Sequence, residues 1–284
     1  MAVEPFEIEQ RGYDSGSNPF MGEWRRTFNF PPVSYANKSE LKQAFKSRIR
    51  SELGNKFIYF HQITLTITLY LNHEKILETP EYGDLDNYAK SICDAIKGVG
   101  GIMIDDCQIQ RIDISWVDVP KESFFEVELR SSPDDFMPAE LKLYQMPDNL
   151  YYPVSHLVWD NGSIIEVDPI NKYLELKALS AMTSTKRTLR HQERQTGTPQ
   201  FRAFQYSRRV SPIKWAFHPT RVADSGYQLV SKKDWEREYS DWAEKSENSE
   251  KVASIEEFLV GYIRMLELSA GITSHSSGPT KAGR

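Results

Sequence analysis

Residues Gly83 to Ile109 read GDLDNYAKSICDAIKGVGGIMIDDCQI, and the fold around them turns on how this stretch is read. Asp84 and Asp86 stand two residues apart in extended chain just ahead of a helix, so their side chains point the same way. Tyr88, Ala89, Ile92, Cys93 and Ile96 mark the buried stripe of that helix, and Asp86, Lys90, Asp94 and Lys97 its opposite stripe. Gly98, Gly100 and Gly101 permit a sharp reversal. The apolar run Ile102, Met103, Ile104 is then expected to carry Asp105 and Asp106 back towards the end that holds Asp84. Aspartates in two clusters, with no histidine or thiolate pair beside them, suit a hard cation such as magnesium, which takes one or two carboxylates and leaves places for water and phosphate. A competing reading is purely local. Acidic residues stabilise a helix N-terminus by about 0.3–1 kcal/mol, which would make Asp84 and Asp86 caps and the Asp105-Asp106 pair a turn.

Working outward, Ile63, Leu65, Ile67 and Leu69 alternate with Thr64, Thr66 and Thr68, the two-residue period of a strand with unlike faces; the strand is expected from Phe57 to Tyr70. Before it, Trp24 to Pro32 reads as a short strand stopped by Pro31 and Pro32. Asn37 and Glu40 have capping-box spacing ahead of a helix with Leu41, Phe45, Ile49 and Leu53 on one side and Lys42, Lys46 and Arg50 on the other. After the second aspartate pair, Ile112, Ile114 and Trp116 alternate in one strand and Phe125, Val127 and Leu129 in the next. The order strand, helix, strand, helix, strand, strand predicts an α+β fold, a mixed sheet covered by helices.

The expected organisation is a flexible arm over 1–22, a first domain over 23–131, a linker over 132–140, a C-terminal accessory domain over 141–268 that is α+β or mainly helical, and a disordered tail over 269–284. In the accessory part, Asn161-Gly162 suits the tight turn of a hairpin and Asp168-Pro169 a helix start. Ser231 with Asp234, and Ser254 with Glu257, suggest caps of two further helices. No run approaches the roughly 20 apolar residues of a membrane span, and the N-terminus has no secretory pattern, so no membrane partner and a cytoplasmic location are expected. The two cysteines, Cys93 and Cys107, are too few for a disulfide scaffold and are expected reduced.

The net charge is −5, but it is unevenly spread. Residues 24–56 hold eight Lys/Arg against two Glu, and residues 186–221 nine against one. Phosphate binding depends on local potential, so an acidic chain can carry basic contact surfaces. The cations expected to meet nucleic acid are Lys42, Lys46, Arg50, Arg187, Arg190, Arg202, Arg208 and Arg209, the later ones interleaved with Phe201, Phe204, Tyr206, Trp215 and Phe217. The alternatives are solvated faces for the cations and core positions for the rings.

GDLDNYAKSICDAIKG followed by IDDCQI resembles the RusA family of Holliday-junction resolvases: a DxDN element, a lysine one turn later, an aspartate before Ala-hydrophobic in the helix, then a hydrophobic-Asp-Asp pair with Gln nearby. The resemblance covers approximately residues 24–131. The GVGGIM turn departs from the family pattern by an extra glycine and the lack of an aromatic. By position, the resemblance implies that Asp84, Asp86 and Asp106 are essential metal-binding carboxylates and that Lys90 is a catalytic or phosphate-contacting residue. Asp105, as a further metal ligand, and Asn87 would support the site, and Asp94 would be structural, paired with Lys90 or Lys97. It implies hydrolysis of branched DNA with magnesium, for which manganese substitutes, by a homodimer. Two rivals share the fold: a branched-DNA-binding protein without turnover, and a nuclease for forks, flaps or RNA.

Overall fold

The computed structural model describes residues 21–54, 57–72, 74, 84–133, 135–160, 163–196, 208, 210–212 and 214–269. The arm, apart from its last two residues, and the tail beyond Ser269 lie outside them, as do Arg202, Arg209, Phe201, Phe204 and Tyr206. The chain divides into two compact units. Unit 1 comprises 1–143, 151–167 and 214–229, and unit 2 comprises 144–150, 168–213 and 230–284.

Unit 1 is built on β3 (Ile63–Asn72), whose Ile63, Leu65, Ile67, Leu69 and Leu71 are buried while the intervening threonines are half-buried. Strands β1 (Glu23–Phe28), β4 (Ile109–Val119) and β5 (Phe124–Arg130) complete a four-stranded sheet in the order β1-β5-β3-β4. β1 and β3 pair antiparallel with β5, whereas β3 and β4 are parallel. A parallel pair needs a crossover, and here it is helix α2 (Leu85–Ile96), which buries Tyr88, Ala89, Ile92, Cys93 and Ile96 as expected. Helix α1 (Ser39–Leu53) buries Phe45, Ile49 and Leu53, and Phe28 stacks on Phe125 with ring centroids 4.8 Å apart. The α+β mixed sheet is thus the one the sequence predicts.

Several local expectations are corrected. α1 begins after Lys38, with no side-chain cap, so Asn37 and Glu40 form no capping box. The strand expected from Phe57 to Tyr70 is broken at His61: β2 (Phe57–Tyr59) leaves the main sheet to pair with β6 (Phe136–Pro138). The segment read as a linker therefore contains a strand, with His61 3.5 Å from Asp135 beside it. In β4 Ile109 and Ile114 pack on the core; Ile112 and Trp116 are exposed, because β4 is an edge strand with one neighbour.

Two segments expected in the accessory domain fold with unit 1. One is the antiparallel pair of β9 (Leu157–Asp160) and β10 (Ser163–Glu166), in which Asp160 is opposite Ser163; Asn161 and Gly162, expected to form its turn, lie outside the described residues. The other is 214–229, whose Phe217 and Val222 are buried with Ile58, Ile104 and Met137. Trp215 and Phe217 are thus packing residues, and Lys214 donates to the Pro153 carbonyl at 3.0 Å. β7 (Leu141–Gln145), β8 (Tyr151–Ser155) and β11 (Gln228–Val230) form a three-stranded sheet in the order β11-β7-β8.

Unit 2 is mainly helical. α3 (Pro169–Thr196) starts where Asp168 Oδ1 accepts from the Ile170 amide at 2.9 Å. After the short α4 (Pro219–Val222) of unit 1 come α5 (Lys232–Ala243), capped by Ser231 as expected, and α6 (Ser249–Ser269). Tyr173 packs on Tyr239 and Trp242 with ring centroids 5.3 and 4.8 Å away. Ser254 does not start a helix. It lies inside α6 and bonds back to the Glu250 carbonyl at 3.0 Å. Among the described residues no helix is long and apolar enough to cross a membrane.

Candidate active site

The aspartates fall at the two ends of α2. At its start, Asp84 is extended (φ −60, ψ 153), and its main-chain carbonyl accepts from the amides of Asn87 at 3.0 Å and Tyr88 at 3.4 Å, while its carboxylate makes no capping bond. Asp84 is therefore the N-cap residue of α2 by its main chain, without a side-chain capping bond. Asp84, Asp86 and Lys90 are exposed and Asn87 is half-buried. Lys90 Nζ lies 3.7 Å from the centre of the Tyr35 ring, and Lys42 Nζ is 4.2 Å from the same ring and donates to the Tyr35 carbonyl at 3.2 Å. Tyr35 is fixed in turn by its amide, which donates to the Asn87 carbonyl at 3.0 Å. The result is an exposed pair of carboxylates on the turn that carries a lysine held against an aromatic face. Tyr35 carried no motif in the sequence, so its part here was not readable there.

At the other end, Lys97 Nζ donates to Asp94 Oδ1 at 2.8 Å and to Asp106 Oδ2 at 2.7 Å. Arg221 Nη1 donates to Asp106 Oδ1 at 3.1 Å and lies 3.8 Å from Asp105 Oδ1. Burial works against the charge on Lys97, but its hydrogen bonds to Asp106 and Asp94 outweigh it and hold its pKa above the ordinary lysine value. Asp94 thus pairs with Lys97 rather than Lys90. Arg221, which comes from α4, is the second residue the sequence did not reveal, since 115 positions separate it from Asp106.

Asp105 is 3% exposed, and its Oδ1 accepts from the Cys107 amide at 3.0 Å. Gln108 answers it. Its Oε1 accepts from the amides of Ile104 at 2.7 Å and Asp105 at 3.0 Å, while Nε2 donates to the carbonyls of Tyr59 at 3.0 Å and His61 at 2.8 Å. This box holds the turn into β4, so for Asp105 the local reading describes what its carboxylate does.

The turn does not bring the two pairs together. Gly98 takes φ +79, its amide donates to the Met103 carbonyl at 2.9 Å, and a Cβ there would lie 2.7 Å from the Ser225 carbonyl oxygen. The chain thus folds back within one turn and enters β4 beside the end of α2, not its start. Asp94 follows Asp86 by eight residues, about 12 Å of helix at about 1.5 Å per residue, and Asp106 shares a lysine with Asp94. Among the described residues no three His, Cys, Asp or Glu side chains cluster closely enough to hold one ion. The expected return of Asp105 and Asp106 to the Asp84 end is corrected accordingly.

The basic face of α1 runs alongside α2 in the same direction. Lys42 sits by Lys90 on Tyr35, and Lys46 is half-buried, its pKa lowered first by burial and then by Arg50. Arg50 donates to the carbonyls of Lys97 at 2.7 Å and Ala95 at 3.4 Å, closing the C-terminal end of α2. Its guanidinium thus already serves the fold. In unit 2, Arg187, Arg190 and Arg208 are exposed.

Both thiols are shielded. Cys93 is pushed up to about 12 by burial and by the charges of Asp106 and Asp94, and Cys107 to about 12 by burial and its bond to Asp105. Thiolate is the reactive form, so neither cysteine is expected to react with Ellman's reagent at pH 8 until the protein is unfolded. A thiol that ionises at about 9 when unfolded and about 12 when folded favours the folded state fully below pH 9, and this contribution is lost as pH rises towards 12. Unfolding midpoints measured from pH 8 to 11 should fall steadily above 9; rapid labelling of native protein at pH 8 would contradict this environment.

A mixed sheet with a parallel β3-α2-β4 crossover, bearing one acidic turn at the start of the helix and another ahead of the paired strand, defines the class of domain in unit 1. Comparison with protein-family models finds that residues 24–130 match endodeoxyribonuclease RusA, to which this part of the chain is similar. No curated protein matches the chain.

Proposed function

We propose that unit 1 is a divalent-metal-dependent endonuclease that hydrolyses phosphodiesters of branched DNA, four-way junctions in particular. The observation that carries this reading is the exposed Asp84 and Asp86 beside Lys90, in a domain similar to RusA, with the Asp84 carboxylate not spent on its helix. All-oxygen donors fit magnesium, or manganese in its place, and Asp84 and Asp86 are the residues that would hold it. Bound there, such an ion supplies a water of lowered pKa and polarises a phosphoryl oxygen. Lys90 brings an ammonium one turn beyond Asp86, where it offsets charge gathering on the phosphoryl oxygens, and the Tyr35 ring limits its wandering. Lys42, on the same ring, draws the DNA backbone towards the carboxylates. Asn87 serves through its carbonyl, which holds Tyr35, and Asp105 through its turn.

Asp106 belongs to the same motif yet stands at the far end of α2. A centre that uses both aspartate pairs therefore draws Asp106, held by Lys97 and Arg221, from a second copy of the chain. A homodimer of this kind has two centres related by a twofold axis, matching the near-twofold symmetry of a four-way junction. The test of the reading is incubation of the full chain with labelled four-way, forked and linear DNA in magnesium, manganese or EDTA. Paired nicks in the junction with either metal, and intact DNA in EDTA, are expected; intact DNA throughout would overturn it.

A further inference from the structure

The C-terminal half of α3 gathers cations on one side. Lys186, Arg187, Arg190 and Arg194 recur at spacings that keep them on one helix face, and with Lys232 and the turn at Pro147 and Asp148 they line an open cavity of about 760 Å³ in unit 2. Asp148 is the one carboxylate among the described lining residues. Three ion pairs elsewhere or at the rim join cations of unit 2 to carboxylates: Lys172 with Glu238 at 2.6 Å, Arg237 with Asp234 at 3.0 Å, and Lys232, itself a lining residue, with Glu236 at 3.6 Å. On the α3 wall no carboxylate among the described residues lies within ion-pair distance of Lys186, Arg190 or Arg194. Arg187 is instead pinned to the Pro147 carbonyl at 3.0 Å, which fixes the turn against the helix and keeps the cavity concave.

This arrangement works against the fold. Lys186 is half-buried, and burial first and Arg190 second pull its pKa down, against a smaller upward pull from Asp148. A merely solvated face spreads like charges apart or interleaves them with glutamate, whereas here they converge on a concave wall. Like charges converging on a cleft mark a site for an anion. Hydroxyls of Ser184 and Thr188 on the same wall add donors suited to phosphate oxygens, and among the described lining residues the imidazole of His191 is the one aromatic ring, with no Phe, Tyr or Trp to stack a base.

We propose that this cavity is a second DNA-contacting site, one that seats the phosphate backbone of a duplex arm without reading its sequence and is separate from the aspartate centre of unit 1. The choice of DNA as the polyanion rests on the nuclease reading of unit 1. The test uses the full chain and a fluorescently labelled four-way junction in EDTA, with affinity measured by anisotropy over a series of salt concentrations. Arg190→Gln with Arg194→Gln removes two exposed cations without touching the pinned Arg187. The double variant should bind at least about 10-fold more weakly and lower the slope of log affinity against log salt by roughly 2, near 0.9 for each phosphate left without its cation. Arg190→Lys with Arg194→Lys should keep most of the slope. Affinity and slope equal to the native chain in the glutamine variant would overturn the proposal, as would a native chain that binds no DNA. If the glutamine variant binds normally while the native chain cuts junctions in magnesium, the groove falls and the nuclease reading stands. If the variant binds more weakly while the native chain cuts nothing, the reverse holds.

Discussion

Asp86→Asn should slow junction cutting by at least about 10³-fold under single-turnover conditions while leaving junction affinity within about threefold of the native chain. The substitution keeps the shape of the side chain and removes one negative charge and one strong ligand oxygen from an exposed turn. The fold does not lean on that carboxylate: the first turn of α2 is closed by the main-chain carbonyl of Asp84, and its buried stripe begins at Tyr88. The unfolding midpoint should therefore stay within a few degrees. Loss of cutting with intact fold and binding places Asp86 in the chemistry; cutting at the native rate would remove it from the site. Asp84→Asn should behave in the same way, since its carboxylate is likewise free of the helix cap.

Gln108→Ala should cost about 3–5 kcal/mol of unit 1 stability, the largest loss expected from any single polar side chain described. The amide is wholly buried and makes four hydrogen bonds, all to main chain: two from the turn that carries Asp105, one to the last residue of β2 and one to the chain between β2 and β3. Truncation leaves two amides and two carbonyls unpaired in the interior and opens a cavity as well. Gln108→Glu separates these causes. It keeps the volume and the acceptor but sets an oxygen against the carbonyls of Tyr59 and His61, so it should be about as damaging as alanine at neutral pH. Urea unfolding, followed by tryptophan fluorescence and helix content together, measures both; a glutamate variant as stable as the native chain would contradict the donor geometry described.

What the sequence made legible follows from how local each signal is. The alternation from Ile63 to Leu69 and the stripe from Tyr88 to Ile96 are periodic and one-sided, so the central strand, the crossover helix and the α+β class were readable. The resemblance to RusA was readable for the same reason, its motif being contiguous in the chain, and residues 24–130 match that family model. What escaped was set by tertiary contact. The direction in which the chain leaves Gly98 depends on the Ser225 carbonyl that fills the space of a side chain, and nothing in GVGGIM announces it. Arg221 reaches Asp106 from a segment that reads as part of another domain, and Arg50 serves α2 rather than solvent because the two helices lie side by side. Two units were expected, but which segments belong to each was hidden likewise, because the chain leaves unit 1 and returns to it, which composition does not record.

The central claim, that one cutting centre joins Asp84, Asp86 and Lys90 of one copy to Asp106 of another, is tested most directly by mixing two full-length variants, Asp86→Asn and Asp106→Asn, each nearly inactive alone. In a mixed dimer one centre carries both substitutions and the other carries neither, so the mixture should recover up to about a quarter of the native nicking capacity and cut one strand per dimer. A mixture no more active than either variant alone, or an Asp106→Asn chain that cuts as fast as the native one, would contradict it.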